Sequence, residues 1–545
     1  MAGRHTSTHH HATPSIRGGR HLATLSSQPL SQLAQPQHAY TITGLQSVKN
    51  WQEYFNSPSG TTLSLFNAIQ NIGTIAGLPF APYVSDWFGR RFAIAFGCCL
   101  MLLGTALQTA CQNFGMFIAA RGIIGFGLSF SCLASPVLIT EIAFPTHRAP
   151  LTSMYNSTWY LGSIVAAWTT FGTFRIQNTW SWRIPSLLQG LPSILQLALI
   201  WTIPESPRWL VDHGKVEKAA NVIAKYHCNG DREDPLVAFE LAEIEESIRI
   251  EKENQTGWID IFKGRGNLRR LRIIIAIAFF SQWSGNGLVS YYLVLVLNGI
   301  GIRSQGHQTL INGILQVYNL FWAYAGALAV DRLGRRFLFL TSTAGMCLSF
   351  VCWTICSAIF RQSSTVFDQE CMTKYPTSYE DNCTALNANH AAGNGVLAFI
   401  FLFYAFYDIA MSPLLVSYTV EIVPFKNRSK TLMLMQLSVS AALVFNQYAN
   451  PVALEALNWK YYIIYCVVLA FEFVYCYLFV VETRGKHGPL PLEEIAAIFD
   501  SPGAAWGFKK REFIDEPIDN ESHPNALDID DKKGLDHERV SDVSK

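Results

Sequence analysis

Four amide side chains stand in stretches of sequence that are otherwise apolar: Asn156, Gln282, Asn286 and Asn319. An amide carries both donors and an acceptor, so a group of amides can read the hydroxyls of a polar ligand. Inside an apolar element each one needs a partner, either a ligand in a wet cavity or a neighbouring helix. Charged residues form the second set. Asp86-Trp87-Phe88-Gly89-Arg90-Arg91 returns as Asp331-Arg332-Leu333-Gly334-Arg335-Arg336. Glu141, followed seven residues on by Arg148, returns as Glu421, followed seven residues on by Arg428. Glu205-Ser206-Pro207-Arg208 has a weaker echo in Glu482-Thr483-Arg484. These are ion-pairing groups. No nucleophile paired with a base and no metal-ligand spacing accompanies them in the polar segments, so the expected chemistry is binding and gating. An enzyme is not expected, and neither is a metal or cofactor.

The surrounding composition says which elements position these groups. Of the 545 residues 50% are hydrophobic and only 15% are charged, against about 25% charged in a soluble chain. Mean hydropathy is +0.19. The net charge of +1 points to no nucleic-acid partner. The apolar residues fall in blocks of about twenty, the length that crosses a bilayer core as a helix. Five such blocks lie near 61–84, 92–110, 116–139, 152–174 and 184–203. A polar stretch fills 204–272, and six more blocks lie near 273–298, 307–330, 337–360, 393–418, 430–449 and 460–481. The expected class is an all-α polytopic membrane protein with about 11 spans. Its divisions are a polar, disordered tail over 1–50, an N-terminal helix bundle over 51–203, a linker with short helices over 204–272, a C-terminal bundle over 273–481 and a polar tail over 482–545. Within the linker, Glu240, Glu243, Glu246, Arg249 and Lys252 mark 236–253 as a solvated helix.

Lys and Arg gather in alternate short loops. Arg90 with Arg91, Arg148, the linker, Arg332 with Arg335 and Arg336, Arg428 with its lysine neighbours, and Arg484 all fall on one side. The loop at 111–115 has no charge and the one at 299–306 has only Arg303. The basic side is therefore read as cytoplasmic. Ion pairs at the ends of spans sit where an unpaired charge is costly and a paired one strongly attracted. They read as a cytoplasmic gate of Asp86, Arg90, Arg91, Arg121, Glu141, Arg148, Glu205, Arg208, Asp331, Arg332, Arg335, Arg336, Glu421, Arg428 and Glu482. The plainer reading is that the arginines only anchor the spans. On the opposite side a loop at 361–392 holds Cys371 and Cys383, a candidate disulfide, and the sequon Asn382-Cys383-Thr384. The motifs recur in the same order in both halves, a parallel duplication in which a central site lies between two bundles.

Three sets of residues resemble the sugar-porter family of the major facilitator superfamily. They are the paired Asp-x-x-Gly-Arg-Arg loops, Pro204-Glu205-Ser206-Pro207-Arg208-Trp209-Leu210, and Gln282-Trp283-Ser284-Gly285-Asn286 followed by Tyr291-Tyr292. The likeness runs from about residue 44 to 500 and looks closest to the fungal lactose-permease-like and hexose-transporter group. It implies the major facilitator fold of two six-helix bundles. It also implies a carrier of hexoses or disaccharides by alternating access, with proton symport as an option. Asn156, Gln282, Asn286, Asn319 and Asn446 match positions that bind sugar in the family, and the paired Tyr291 and Tyr292 read either as an outer gate or as members of the aromatic belt. Trp87 and Val416 depart from the family pattern, which has Arg and Trp there. The resemblance further implies a helix before Gly44 with an acidic residue. Residues 1–43 are polar and contain no acid, so the first helix reads as missing, either through an incompletely read gene or through a true truncation. Further expected partners are the lipid bilayer and protons. The expected state is a multi-pass monomer in the plasma membrane. A non-transporting sugar sensor and an inactive truncated product stand as alternatives.

Overall fold

Proline and glycine decide where the apolar stretches break. The computed structural model describes residues 44–143, 159–253, 261–364, 369–374, 389–423, 428–485, 488–489, 495 and 498–499. Asn156, Arg148 and Cys383 lie outside these, as do the side chains of Asp331, Cys371 and Arg428.

The first half opens with a short α1 (Lys49–Tyr54), followed by α2 (Gly60–Gly77) and α3 (Ala81–Phe88). One span was expected over 61–84. Pro79 separates α2 from α3 because it has no N–H to give the preceding turn, and Pro82 sits in the first turn of α3. Next come α4 (Arg90–Thr109), α5 (Phe114–Ile142), α6 (Trp159–Thr173), α7 (Trp180–Leu188) and α8 (Leu191–Leu199). Asn113 caps α5, its side chain accepting from the Met116 N–H at 2.8 Å. The linker contributes α9 (Pro207–Asp212), α10 (Val216–His227) and α11 (Pro235–Glu253). The last is the helix expected from its charges.

The second half departs from expectation at its start. α12 (Arg265–Trp283) begins inside the stretch read as linker, with Arg269, Arg270 and Arg272 in its first turns. It then breaks at Ser284–Gly285 before α13 (Asn286–Gly299), where a single span was expected. Gly285 has φ +104°, and a Cβ there would lie 2.5 Å from the Phe350 ring, so the break suits glycine alone. There follow α14 (Gln305–Leu333), α15 (Arg335–Ser363), α16 (Gln369–Lys374), α17 (His390–Ile422), α18 (Arg428–Leu457) and α19 (Tyr461–Phe479). A two-residue antiparallel pair, β1 (Arg484–Gly485) with β2 (Gly488–Pro489), closes the described part.

Eight helical stretches among the described residues are long and apolar enough to cross a membrane. One of them, Lys430–Phe479, takes in most of α18 and all of α19. Outward-facing Phe321, Leu328, Leu348, Val467 and Phe471 are exposed, as an apolar solvent allows. In the first half α5 packs between α2 and α4, with Gly125 against α2 and Gly127 against α4. In the second, α17 packs on α14 and α15, and α19 on α15. The halves meet along α2 with α18 and along α6 with α14.

Candidate functional site

The seam between the halves is polar. On α2, Asn67, Gln70, Asn71 and Thr74 share one face by helical spacing, and all but Asn71 are buried. Asn71 Nδ2 donates to Gln447 Oε1 of α18 at 2.8 Å. Asn67 Nδ2 donates to the Tyr292 hydroxyl at 3.2 Å, and that hydroxyl donates to the Gln447 carbonyl at 2.6 Å. Asn446 Nδ2 donates to the Gln282 carbonyl at 2.5 Å, and Gln282 Nε2 donates to Ser281 Oγ at 3.1 Å. Tyrosines hold Asn286: its Nδ2 donates to Tyr407 Oη at 3.1 Å, and its Oδ1 accepts from Tyr404 at 3.1 Å and Ser290 at 2.7 Å. Asn319 on α14 is fully buried, and among the described residues neither its Oδ1 nor its Nδ2 has a hydrogen-bond partner. The break between α12 and α13 falls inside this cluster, which places irregular backbone beside the polar side chains.

Toward the end of the molecule away from the arginine pairs, residues 44–55 lie over the seam. Gln46 Nε2 donates to the Tyr291 carbonyl at 3.1 Å, and Asn50 Nδ2 donates to the carbonyl of Ile176 at 2.9 Å. Trp51 and Phe55 join an aromatic cluster with Phe66, Phe117 and Trp182. The Glu455 carboxylate of α18 accepts from the Gly60 N–H at 3.1 Å, at the positive end of the α2 dipole. Here Tyr291 and Tyr292 are tied across the halves. One more link crosses at mid-span, where Tyr160 of α6 donates to Asp408 of α17.

At the basic face the duplicated charges build the same device twice. In the first half Glu205 accepts from the backbone N–H groups of Arg90 at 3.0 Å and Arg91 at 3.2 Å, capping α4 from a distance. Burial raises the Glu205 carboxyl above its ordinary range, while the N–H groups of Ser206, Arg91 and Arg90 pull it down. The Arg90 guanidinium reaches Glu141 at 3.2 Å and Asp86 at 3.2 Å, and Trp209 Nε1 donates to the Asp86 carbonyl at 2.8 Å. In the second half Glu482 accepts from the N–H groups of Arg335 at 2.9 Å and Arg336 at 3.0 Å. Arg335 reaches Glu421 at 2.9 Å. Arg91 lies over Trp201 and Arg336 over Tyr477. Arg484 donates to the Arg332 carbonyl at 2.5 Å. Arg208 stands in the first turn of α9. Each of these bonds joins elements of one half.

Arg121 requires a correction. Its charge groups it with the basic face, but it lies twenty residues before Glu141 on α5, about 30 Å along an α-helix. Its guanidinium donates to Gln70 Oε1 at 2.8 Å. It belongs to the seam cluster, because α5 traverses the full thickness of the bundle.

The seam contains residues that the sequence did not bring forward as binding groups. The α2 amides carry a legible signal, polar residues three and four apart within an apolar run. Tyr160, Tyr404 and Tyr407 carry none, since a tyrosine in a span is as often an interfacial residue.

The family model described as "Sugar (and other) transporter" matches residues 31–499. A high-affinity glucose transporter of Kluyveromyces lactis is 26% identical over 495 residues, covering 88% of this chain and 85% of that protein. High-affinity glucose transporter 1 of Candida albicans is 27% identical over 487 residues, covering 88% and 86%. Among solved structures, the major facilitator proton:xylose symporter XylE bound to 6-bromo-6-deoxy-D-glucose superposes with a TM-score of 0.69 at 21% identity, covering 88% of this chain and 99% of that one. The inward open XylE from E. coli gives 0.64 at 22% identity, covering 88% and 98%. At these identities the structural likeness speaks for the fold.

Proposed function

Because this chain belongs to the sugar (and other) transporter family, we propose that it carries a hexose or a disaccharide across a membrane by alternating access, in symport with protons. The observation that carries the reading is the polar seam, above all buried Asn319, whose amide has no hydrogen-bond partner among the described residues. A buried amide without a partner costs about 1–3 kcal/mol, and a hydroxyl-rich ligand would supply the missing donor and acceptor. Asn286, Gln282 and Asn446, with Asn156, complete the set. The two bundles, 51–203 and 273–481, rock about this site.

The networks of Glu205 and Glu482 hold the inner ends of each bundle together as units, which suits a gate at the cytoplasmic face. Tyr291 and Tyr292, tied to Gln46, Asn67 and Gln447, form the outer gate. The carrier works as a single chain in the lipid bilayer of the plasma membrane. The glucose transporters of Kluyveromyces lactis and Candida albicans favour a hexose. The likeness to XylE, a proton:xylose symporter, favours proton coupling.

Uptake of labelled hexoses and disaccharides in cells that lack their own sugar carriers tests this. Saturable uptake of at least one sugar is the expected result. A chain seen at the cell surface that takes up none of them would overturn it, and signalling without uptake would identify a sensor instead.

A further inference from the structure

An acid that moves a coupling proton must change its surroundings as the carrier changes state. Asp408 meets that condition. It lies on α17 about 27 Å from the start of the helix and about 21 Å from its end, hence near mid-span, and it is fully buried. Its Oδ1 accepts from Tyr160, which α6 brings from the other half. The same oxygen accepts from Ser412 Oγ at 2.9 Å, and Ser412 and Tyr160 are 3.0 Å apart. Oδ2 has no hydrogen-bond partner among the described residues. A carboxylate sealed in an apolar span with one bare oxygen is costly, and a proton on that oxygen removes the cost.

Tyr160 and Ser412 are the polar side chains that act on Asp408. Charged residues of the elements packed against α17 stand toward the ends of those elements, and Tyr291, Tyr292 and Tyr318 there have other partners. On α12, Arg265, Arg269, Arg270 and Arg272 occupy the first turns. On α13, Tyr291 acts on Arg121 and Tyr292 bonds Gln447. On α14, His307 is at one end and Asp331 and Arg332 at the other, and Tyr318 packs on Phe401. On α15, Arg335 and Arg336 bond Glu421 and Glu482. On α18, Glu455 caps α2 at the far end and Lys430 lies in the first turn. Glu472, the other fully buried acid of a described span, sits on α19 within one half.

Resting on the symport reading above, we propose that Asp408 is the residue that binds and releases the coupling proton, with Tyr160 as its partner across the seam. While the halves are joined here, the proton sits on Oδ2 and Tyr160 donates to Oδ1. When the halves part at this seam, Asp408 loses Tyr160 and meets water. The O–H bond at Oδ2 breaks, the proton passes to water on the open side, and the carboxylate keeps the electron pair. Rebinding on the other side runs the same step in reverse.

The test uses the full chain reconstituted in lipid vesicles with labelled D-glucose. Two assays run side by side: exchange at equal sugar on both faces, and accumulation driven by a pH gradient. Wild type is expected to do both. D408N is expected to exchange but to stop at equal concentration, losing all accumulation. D408N that accumulates like wild type would overturn the assignment while leaving symport intact. Wild type that exchanges without accumulating would overturn symport and the assignment together, while carriage stands. Wild type that does neither with D-glucose, nor with labelled lactose in its place, would overturn the sugar reading itself. Should D408N lose exchange as well, Y160F decides. Tyr160 bonds the protonated acid, so its loss should weaken proton binding and move the pH profile of accumulation to lower pH by about half a unit or more. An unmoved profile contradicts the proposal.

Discussion

Gly89 and Gly334 hold nearly the same backbone conformation, φ +97° and +87°, each with a glutamate from the end of its own half packed against it. A side chain at that φ is strained by about 1–2 kcal/mol, and a Cβ on Gly334 would stand 2.7 Å from Glu482 Oε2. Gly334→Ala should therefore lower the melting temperature of the purified protein. Glu482→Gln and Glu205→Gln should each lower it too, by similar amounts, since each removes the charge that accepts two helix-end N–H groups, worth about 1–3 kcal/mol. Stability equal to wild type in either glutamate variant would contradict the matched roles. The sequence ranked Glu482 as a weaker echo because Glu482-Thr483-Arg484 keeps the acid and the arginine of Glu205-Ser206-Pro207-Arg208 at a different spacing. The bonding uses only the carboxylate and two backbone N–H groups, so neighbouring letters were a poor guide. Arg121 was misplaced for a related reason. Its charge suggested the basic face, whereas counting along α5 from the Asn113 cap places it toward the other end.

At the scale of elements, apolar length was legible, while the break at Pro79 and the crossing partners were not. The α11 helix and the spans could be read from charge and apolar length. The break at Ser284–Gly285 was hidden, because the polar run around Gly285 read as a binding motif, and only the fold shows Phe350 filling the space beside the glycine. Gly285→Ala should force that ring aside and straighten the joint between α12 and α13, lowering transport at least tenfold while the chain still reaches the membrane. Uptake at the wild-type rate would count against a need for the break. Helical period puts the α2 amides on one face, a signal passed over in the sequence, and only the fold pairs them with Gln447 and Tyr292. Asn71→Ala combined with Tyr292→Phe removes those ties. A cysteine introduced by Ser64→Cys, buried in the parent, should then react faster with a membrane-impermeant maleimide added outside. An unchanged rate would mean that these bonds do not hold the seam shut.

At the scale of the molecule, the duplicated device ties up the inner ends of each half separately, while Gln46, Asn67, Asn71, Tyr160 and Glu455 reach across. Each half thus has the internal bonds of a rigid body, and the seam has the bonds that must exchange when the bodies rock. The two-part architecture was legible from the repeat, since the same motifs in the same order require the same packing twice. Which contacts belong to the seam depends on residues hundreds of positions apart and could not be read from spacing. Counterflow tests alternating access most directly. Vesicles containing the reconstituted chain are loaded with unlabelled D-glucose and diluted into a trace of labelled D-glucose. A carrier that alternates predicts that the label rises above its equilibrium level and then falls back. Label that merely rises to equilibrium, at a rate indifferent to the sugar loaded inside, would contradict the account.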